Sequence, residues 1–318
     1  MDGGPGEDAG PVDAGPSADE ACTALATARC AKRNECEPAT LTATYGDLST
    51  CIGRDKLSCL ASVSAPDTGN TPTSLQTCAG AYAAWDCADW ANAMAPAACA
   101  QRAGSRSTGE ACTFPSQCSS AFCATRRGAK CGTCAATPTV GTPCGDGVGC
   151  GGNGLSCDNA TLTCHPVVTD GGSCLSGTCG FGFGCVADGG VCLPQGNFVD
   201  AGCDSSERTE PACRRELGLS CVRRHCVPTT FASEGSTCGL DLAANSFTRC
   251  RAGGNCVGDG GVGGSQCLAP ANDGVACASP GGALCLSPAR CVSLDGGSVD
   301  AGDPFSGACQ LPSGVLCQ

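Results

Sequence analysis

The sequence predicts a small disulfide-rich fold. An N-terminal α-helical unit with eight cysteines is followed by a string of cysteine-rich repeats built from loops and short β-hairpins. Three observations carry this expectation. The 318 residues include 34 cysteines, an even number and above the density at which a chain reads as a disulfide scaffold. Residues that build large cores are scarce, with eight Phe, two Trp, two Tyr and two Met against 48 Gly and 19 Pro, so covalent staples must supply what burial cannot. From residue 109 onward a Gly shortly ahead of a cysteine recurs at intervals of 29 to 40 residues, a repeat architecture.

Residues 1–19 contain five acidic residues, no basic ones, and many Gly, Pro and Ala, and so read as a flexible acidic tether. They offer neither the basic nor the apolar region of a secretory leader, whereas this many cysteines call for an oxidising compartment. The reconciling expectation is a natural leader replaced by Met1, with the tether resembling the linker of bacterial surface lipoproteins. Membrane contact would then run only through an N-terminal lipid anchor absent from this chain, since no stretch approaches the ~20 apolar residues of a span.

Residues 20–100 are the expected helical domain. "DEACTALATARCAKRNEC" is Ala-rich and free of Gly and Pro, with Cys22 and Cys30 eight apart; "GDLSTCIGRDKLSCLASV" repeats the spacing with Cys51 and Cys59. Eight residues is a little over two helical turns, so each pair lies on nearly one face, about 12 Å apart along the axis. Two antiparallel helices joined Cys22 to Cys59 and Cys30 to Cys51 satisfy both spacings. Asp47 is the expected N-cap of the second helix. A third starts with Thr71 as N-cap and Pro72 in its first turn. Tyr82, Trp85 and Trp90 are expected to fill the small core here rather than to stack on a ligand. Cys36, Cys78, Cys87 and Cys99 complete a set of eight that can pair within the domain.

Residues 101–108, "QRAGSRST", read as a polar linker. Residues 109–164 form a pair of modules and 165–318 a run of degenerate repeats, with Asp-Gly and Gly-Gly steps that suit tight hairpin turns. Six segments each open a four-cysteine module, the first carries one cysteine more, and Cys317 stands as the start of a truncated seventh. The motif "VDAG" at 12–15, 199–202 and 299–302 looks like exposed, mobile insertion.

Candidate chemistry is sparse. The Cys-x-x-Cys at Cys131 and Cys134 is followed by "AATPTVGTPC", a Pro- and Gly-interrupted stretch. A redox pair needs a helix start that lowers a thiol pKa, and none follows. Cys131 is instead expected to close the first module and Cys134 to staple it to a neighbour. His165 and His225 are the only histidines, each next to a repeat cysteine, and neither a G-x-S-x-G nor an H-E-x-x-H motif is present. Two G-x-G-x-x-G matches, at 147–152 and 258–263, lack the strand and helix a dinucleotide site needs. One degenerate G-G-x-G-x-D unit at 151–156 does not make a tandem calcium repeat. No catalytic residue, cofactor or metal site is therefore expected.

The most distinctive polar stretch is "CRRELGLSCVRRHC" (213–226), where Arg214, Arg215, Arg223, Arg224 and His225 concentrate positive charge in a chain of net charge −12. Arginine forks can grip carboxylates, sulfated sugars or phosphate groups. Against that stands a solvated loop whose charges pair with Glu207, Glu210 and Glu216. "TRRGAK" (125–130) is a smaller version. The overall acidity argues against a general nucleic-acid binder.

"GEACTFPSQCSSAFCATRRGAKCGTC" places cysteines at 112, 118, 123, 131 and 134, followed by Cys144, Cys150, Cys157 and Cys164. This spacing, with a Gly ahead of the first cysteine, resembles the N-terminal cysteine-rich domain of the Dickkopf family. It implies a secreted, disulfide-knotted, non-enzymatic module over about a sixth of the chain. Nothing here resembles that family's second, colipase-like domain, so its signalling role does not follow. The expected function is binding or adhesion at a cell surface or outside the cell, toward a protein or glycan partner. A self-associating subunit of a filament or matrix is the second expectation, and a thiol-redox or metal protein the third.

Overall fold

The computed structural model describes residues 15–152, 154–158, 161–175, 178–207, 209–258, 264–279, 281–293, 305–315 and 317. It is a small disulfide-rich fold in which 17 disulfides leave no cysteine free, and such bonding belongs to an oxidising environment. Among the described residues no helix is long and apolar enough to cross a membrane.

The helical unit begins at α1 (Ala18–Cys36). The Ser17 hydroxyl accepts the Glu20 N–H while the Glu20 carboxylate accepts the Ser17 N–H, a reciprocal cap that starts the helix inside the expected tether. The first 14 residues of that tether lie outside the described residues. α3 (Leu48–Val63) is capped by Asp47, and α4 (Pro72–Ala81) by Thr71. Cys22–Cys59 and Cys30–Cys51 join α1 and α3 as antiparallel rungs, the pairs that the eight-residue spacing asks for. Cys36–Cys87 ties in the short α5 (Cys87–Ala91), and Cys78–Cys99 holds α4. Tyr82, Trp85 and Trp90 meet edge to face with centroids 5.2–5.9 Å apart and pack on Cys22, Leu25, Cys59 and Cys78. A further helix, α2 (Pro38–Tyr45), is not foreseen by the alternating Thr of "PATLTATY". Pro38 starts it, Gly46 at φ 83° ends it, and Leu41 and Tyr45 pack it against the Cys30–Cys51 bridge.

The six modules share one construction. The third and fourth cysteines face each other across a two-stranded pairing: Cys123 and Cys134, Cys157 and Cys164, Cys185 and Cys192, Cys221 and Cys226, Cys256 and Cys267, Cys291 and Cys309. They do not bond to each other. Each reaches back instead, so that the first cysteine joins the third and the second joins the fourth. This holds from Cys112–Cys123 and Cys118–Cys134 through to Cys277–Cys291 and Cys285–Cys309. Two side-by-side bridges on a hairpin thus replace a core. The repeats are degenerate in loop length and uniform in pairing.

The roles expected for Cys131 and Cys134 are exchanged. Cys134 ends the strand Gly132–Cys134, the middle of a three-stranded sheet, and is buried against Cys118 inside the module. Cys131 precedes the strand and bonds to Cys317, so Cys317 is not a truncated seventh module but the closing link of the set. Gly132 is fixed by packing: a Cβ there would lie 2.4 Å from Thr125 Oγ1 and 2.7 Å from both the Ala124 carbonyl oxygen and Cys123 Sγ. Gly132→Ala should destabilise the protein by about 2 kcal/mol, the usual order for overpacking. Thermal or denaturant unfolding would read this, and an unchanged midpoint would show that the strand can shift without cost.

All six modules touch the helical unit in turn, which makes it a hub. In the first, the Gly69 N–H donates to the Ser116 carbonyl. In the second, Gly152 and Gly154 approach Ala93 and Met94. In the third, the Phe181 N–H donates to Asn92 Oδ1 at 2.9 Å. Gly218 of the fourth lies against Ala39. The Ala252 and Gly253 N–H groups of the fifth donate to the Thr42 and Ala43 carbonyls. Around the sixth, Arg54 of α3 bonds Asp273 with both terminal nitrogens and the Leu286 and Ser287 carbonyls as well. Cys131–Cys317 then closes this circuit.

The expected linker at 101–108 is irregular and mostly exposed, but it is fixed at two points. Gly104 is enclosed by the carbonyl oxygens of Asp67, Ser116 and Gln117, each within 2.4 Å of where a Cβ would be. Arg106 is buried and bonds Asp67, Ala111 and Cys317. In the "VDAG" at 199–202, Val199, Asp200 and Gly202 are exposed as expected, but Ala201 is buried against Cys203 and Cys213 and ties the stretch to the module. Its copy at 299–302 lies outside the described residues, as do 12–14.

Candidate functional site

The basic stretch 213–226 belongs to the fourth module, and the structure divides it. Arg214 is used inside the fold: its Nε donates to Glu216 Oε1 at 2.6 Å, and its guanidinium lies 4.3 Å from the Phe181 ring centroid. Arg223 and Arg224 form the turn between the strands Leu219–Val222 and His225–Ala232, with φ of 50° and 67°, the left-handed pair a two-residue hairpin turn uses. Both are exposed, as is His225. Arg224 reaches the Thr209 hydroxyl at 3.4 Å, and His225 Nδ1 lies 3.5 Å from the Asp200 carbonyl oxygen. Of the acids expected to neutralise the stretch, Glu216 does so for Arg214, while Glu210 lies against Gly202.

Arg215 has a different neighbourhood. The strands of the fourth and fifth modules join in one four-stranded sheet, because His225–Ala232 runs parallel to Ser246–Cys250. Its register sets Thr229 opposite Phe247 and Phe231 opposite Arg249, while Leu240 of the adjoining strand faces Phe247. Alternate residues share a face, so Thr229, Phe231, Leu240, Phe247 and Arg249 line one side of the sheet. The 3₁₀ turn Arg215–Leu217 contributes Arg215 beside it. Between them is a groove of about 500 Å³ with the two phenylalanines and Leu240 as apolar floor and Arg215 and Arg249 as the charged groups. The Ser220 and Thr229 hydroxyls, 2.6 Å apart, add a polar edge. Among the described residues neither arginine has a carboxylate partner. Partial desolvation first, and the nearby charge of Arg215 second, hold Arg249 below its ordinary pKa.

Sequence reading singles out Arg215 but misses Arg249, Phe231 and Phe247. The alternation in "TTF" and "SFTRC" is visible, but the parallel pairing that unites two modules is not.

Other sites expected from sequence resolve differently. Arg126 and Arg127 of the second basic stretch line, with Arg290, a cavity of about 550 Å³ between the first and sixth modules. Under the hub a smaller cavity, about 190 Å³, contains Arg29. Desolvation alone would lower that guanidinium's pKa, but Asp55 at 3.1 Å and the Tyr82 hydroxyl at 3.0 Å outweigh it and raise it, so this charge is already answered. His165 lies on a strand, Nε2 2.9 Å from the Thr163 hydroxyl. Cysteine sulfurs do cluster within 4.8 Å of one another, as at Cys112, Cys118 and Cys123, but each of these belongs to a disulfide and so offers no thiolate to a metal. No family model matches the chain, and no curated protein and no solved structure shows significant similarity to it.

Proposed function

We propose that this chain is a non-enzymatic extracellular or cell-surface protein that works by binding, with the sheet shared by the fourth and fifth modules as its contact face. One observation supports this above the others: Arg215 and Arg249 stand over an apolar floor with no acid opposite them among the described residues, in a chain of net charge −12. Arg215 and Arg249 are both exposed, so water screens their mutual repulsion, and an anion brought between them would gain from both guanidiniums at once. The closed ring of stapled modules adds rigidity, which limits the ordering entropy lost on association. The Dickkopf-like cysteine spacing of 112–164 points the same way, to a secreted module without catalysis.

Labelled protein incubated with the cells that produce it, or with their extracted surface proteins and glycans, tests the proposal. Specific retention is expected, lowered severalfold by Arg215→Gln with Arg249→Gln and little changed by Arg223→Gln with Arg224→Gln at the exposed hairpin turn. Equal retention of both variants would remove the groove from the account. The filament-subunit reading has its own support in the exposed neighbours Phe198 and Val199, 65% and 50% accessible, and it predicts polymers by electron microscopy at rising concentration.

A further inference from the structure

We infer that the groove between the fourth and fifth modules takes an organic oxyanion, a carboxylate or a phosphate monoester, carried on a compact apolar body. The inference rests on the binding role proposed above and specifies what is bound.

The chemistry of the lining selects this class. Arg215 and Arg249 come from different modules and converge on one groove. A guanidinium presents planar forks of N–H donors that match two-oxygen and three-oxygen anions, and here the forks have no carboxylate to hold among the described residues. The acidic side chains next in sequence to the lining residues have other work. Asp204, beside Ser205 in the groove wall, accepts from the Ser206 and Thr209 backbones. Asp241, next to Leu240, accepts from the Ala243 and Ala244 N–H groups. Glu216 is taken by Arg214.

The floor excludes a bare inorganic ion as the best occupant. Phe231 and Phe247 are half-buried and Leu240 is 39% exposed, so the sheet leaves part of two aromatic rings and of a leucine open to solvent. Covering them contributes about 25 cal/mol for each Å² removed from water, which acetate or inorganic phosphate cannot supply. A volume of about 500 Å³ lies in the range of small-molecule sites and accepts one ring or a short branched chain beside the anion. A neutral hydrocarbon would leave the arginines unanswered. A sugar sulfate would put hydroxyls against phenylalanine. Only the combination of anion and apolar body meets both halves of the groove.

The test uses the intact, oxidised chain and four probes: 3-phenylpropionate, phenyl phosphate, 3-phenylpropanol and acetate. Binding is read by titration calorimetry and by chemical-shift changes. The proposal expects at least one of the two aromatic anions to bind at least tenfold more tightly than both 3-phenylpropanol and acetate, with affinity that falls as salt is raised. Whichever head group binds more tightly identifies carboxylate or phosphate as the natural chemistry. Arg249→Gln and Arg215→Gln should each weaken the preferred anion about tenfold. Phe247→Ala should weaken it while leaving acetate unaffected. Unchanged disulfide content and melting temperature would show that each variant is folded, and wild-type salt dependence gives a reading that needs no variant. Equal binding of 3-phenylpropanol, equal binding of acetate, or no binding by any probe overturns the inference. Cell retention that persists in that last case would leave the contact face standing with a different ligand chemistry.

Discussion

Replacing Cys131 and Cys317 together with serine should lower the thermal midpoint by roughly 5–10 °C, the largest loss expected from removing any single bridge. The bond spans 186 residues of sequence. The other bridges short-circuit part of that path in the unfolded chain, yet the loop it closes stays on the order of a hundred residues, worth about 4.7 kcal/mol by loop-closure entropy. A bridge inside a module closes 11 to 24 residues, nearer 3 kcal/mol. The effect should also be local in a way that distinguishes it. The hub contacts of the second to fifth modules do not involve residues 311–317, so limited proteolysis should open the C-terminal segment first. An unchanged midpoint would mean that the noncovalent contacts of that segment hold the ring closed unaided.

Where the sequence is periodic the structure is legible, and where partners are remote it is not. The rungs Cys22–Cys59 and Cys30–Cys51 follow from one spacing repeated in two helices, and the caps Asp47 and Thr71 follow from local chemistry. The repeat of the modules is visible in Gly and Cys positions, but their common pairing is not, because any four cysteines allow three connectivities. Cys131 and Cys134 show the limit most plainly. Both look alike in "AKCGTCAA", and only the strand beginning at Gly132 decides that Cys134 faces Cys118 while Cys131 is left for a partner at the far end of the chain. The groove fails to show for the same reason: Arg215 and Arg249 are 34 residues apart in separate modules, and a parallel strand pairing places them together. The polar composition of 101–108 does not disclose its anchor, because composition reports solvent preference, whereas Arg106 is buried with three oxygen partners.

Gln117→Leu should cost about 4 kcal/mol, a large effect for one uncharged side chain. Gln117 has no exposed surface and uses both ends of its amide. Its Oε1 accepts the Thr113 N–H at 2.9 Å and the Phe114 N–H at 3.1 Å; its Nε2 donates to the Pro66 carbonyl at 3.0 Å and to Gly314 at 3.5 Å. One side chain thus connects the first module, the hub loop after α3 and the C-terminal segment. Leucine has nearly the same volume but leaves two donors and two acceptors without their partner, each costing about 1–3 kcal/mol when buried. Gln117→Glu keeps the accepting Oε1 and replaces the donating Nε2 with an oxygen, so it separates the bonds within the module from those that hold hub and tail. The informative measurement is a double-mutant cycle between Gln117→Leu and the Cys131/Cys317 pair by denaturant unfolding. If Gln117 helps dock the segment that Cys317 anchors, the two losses should fall short of additive by 0.5 kcal/mol or more, the scale seen for residues in one network. Strict additivity would show that the amide secures the first module alone, and that the disulfide closes the ring without it.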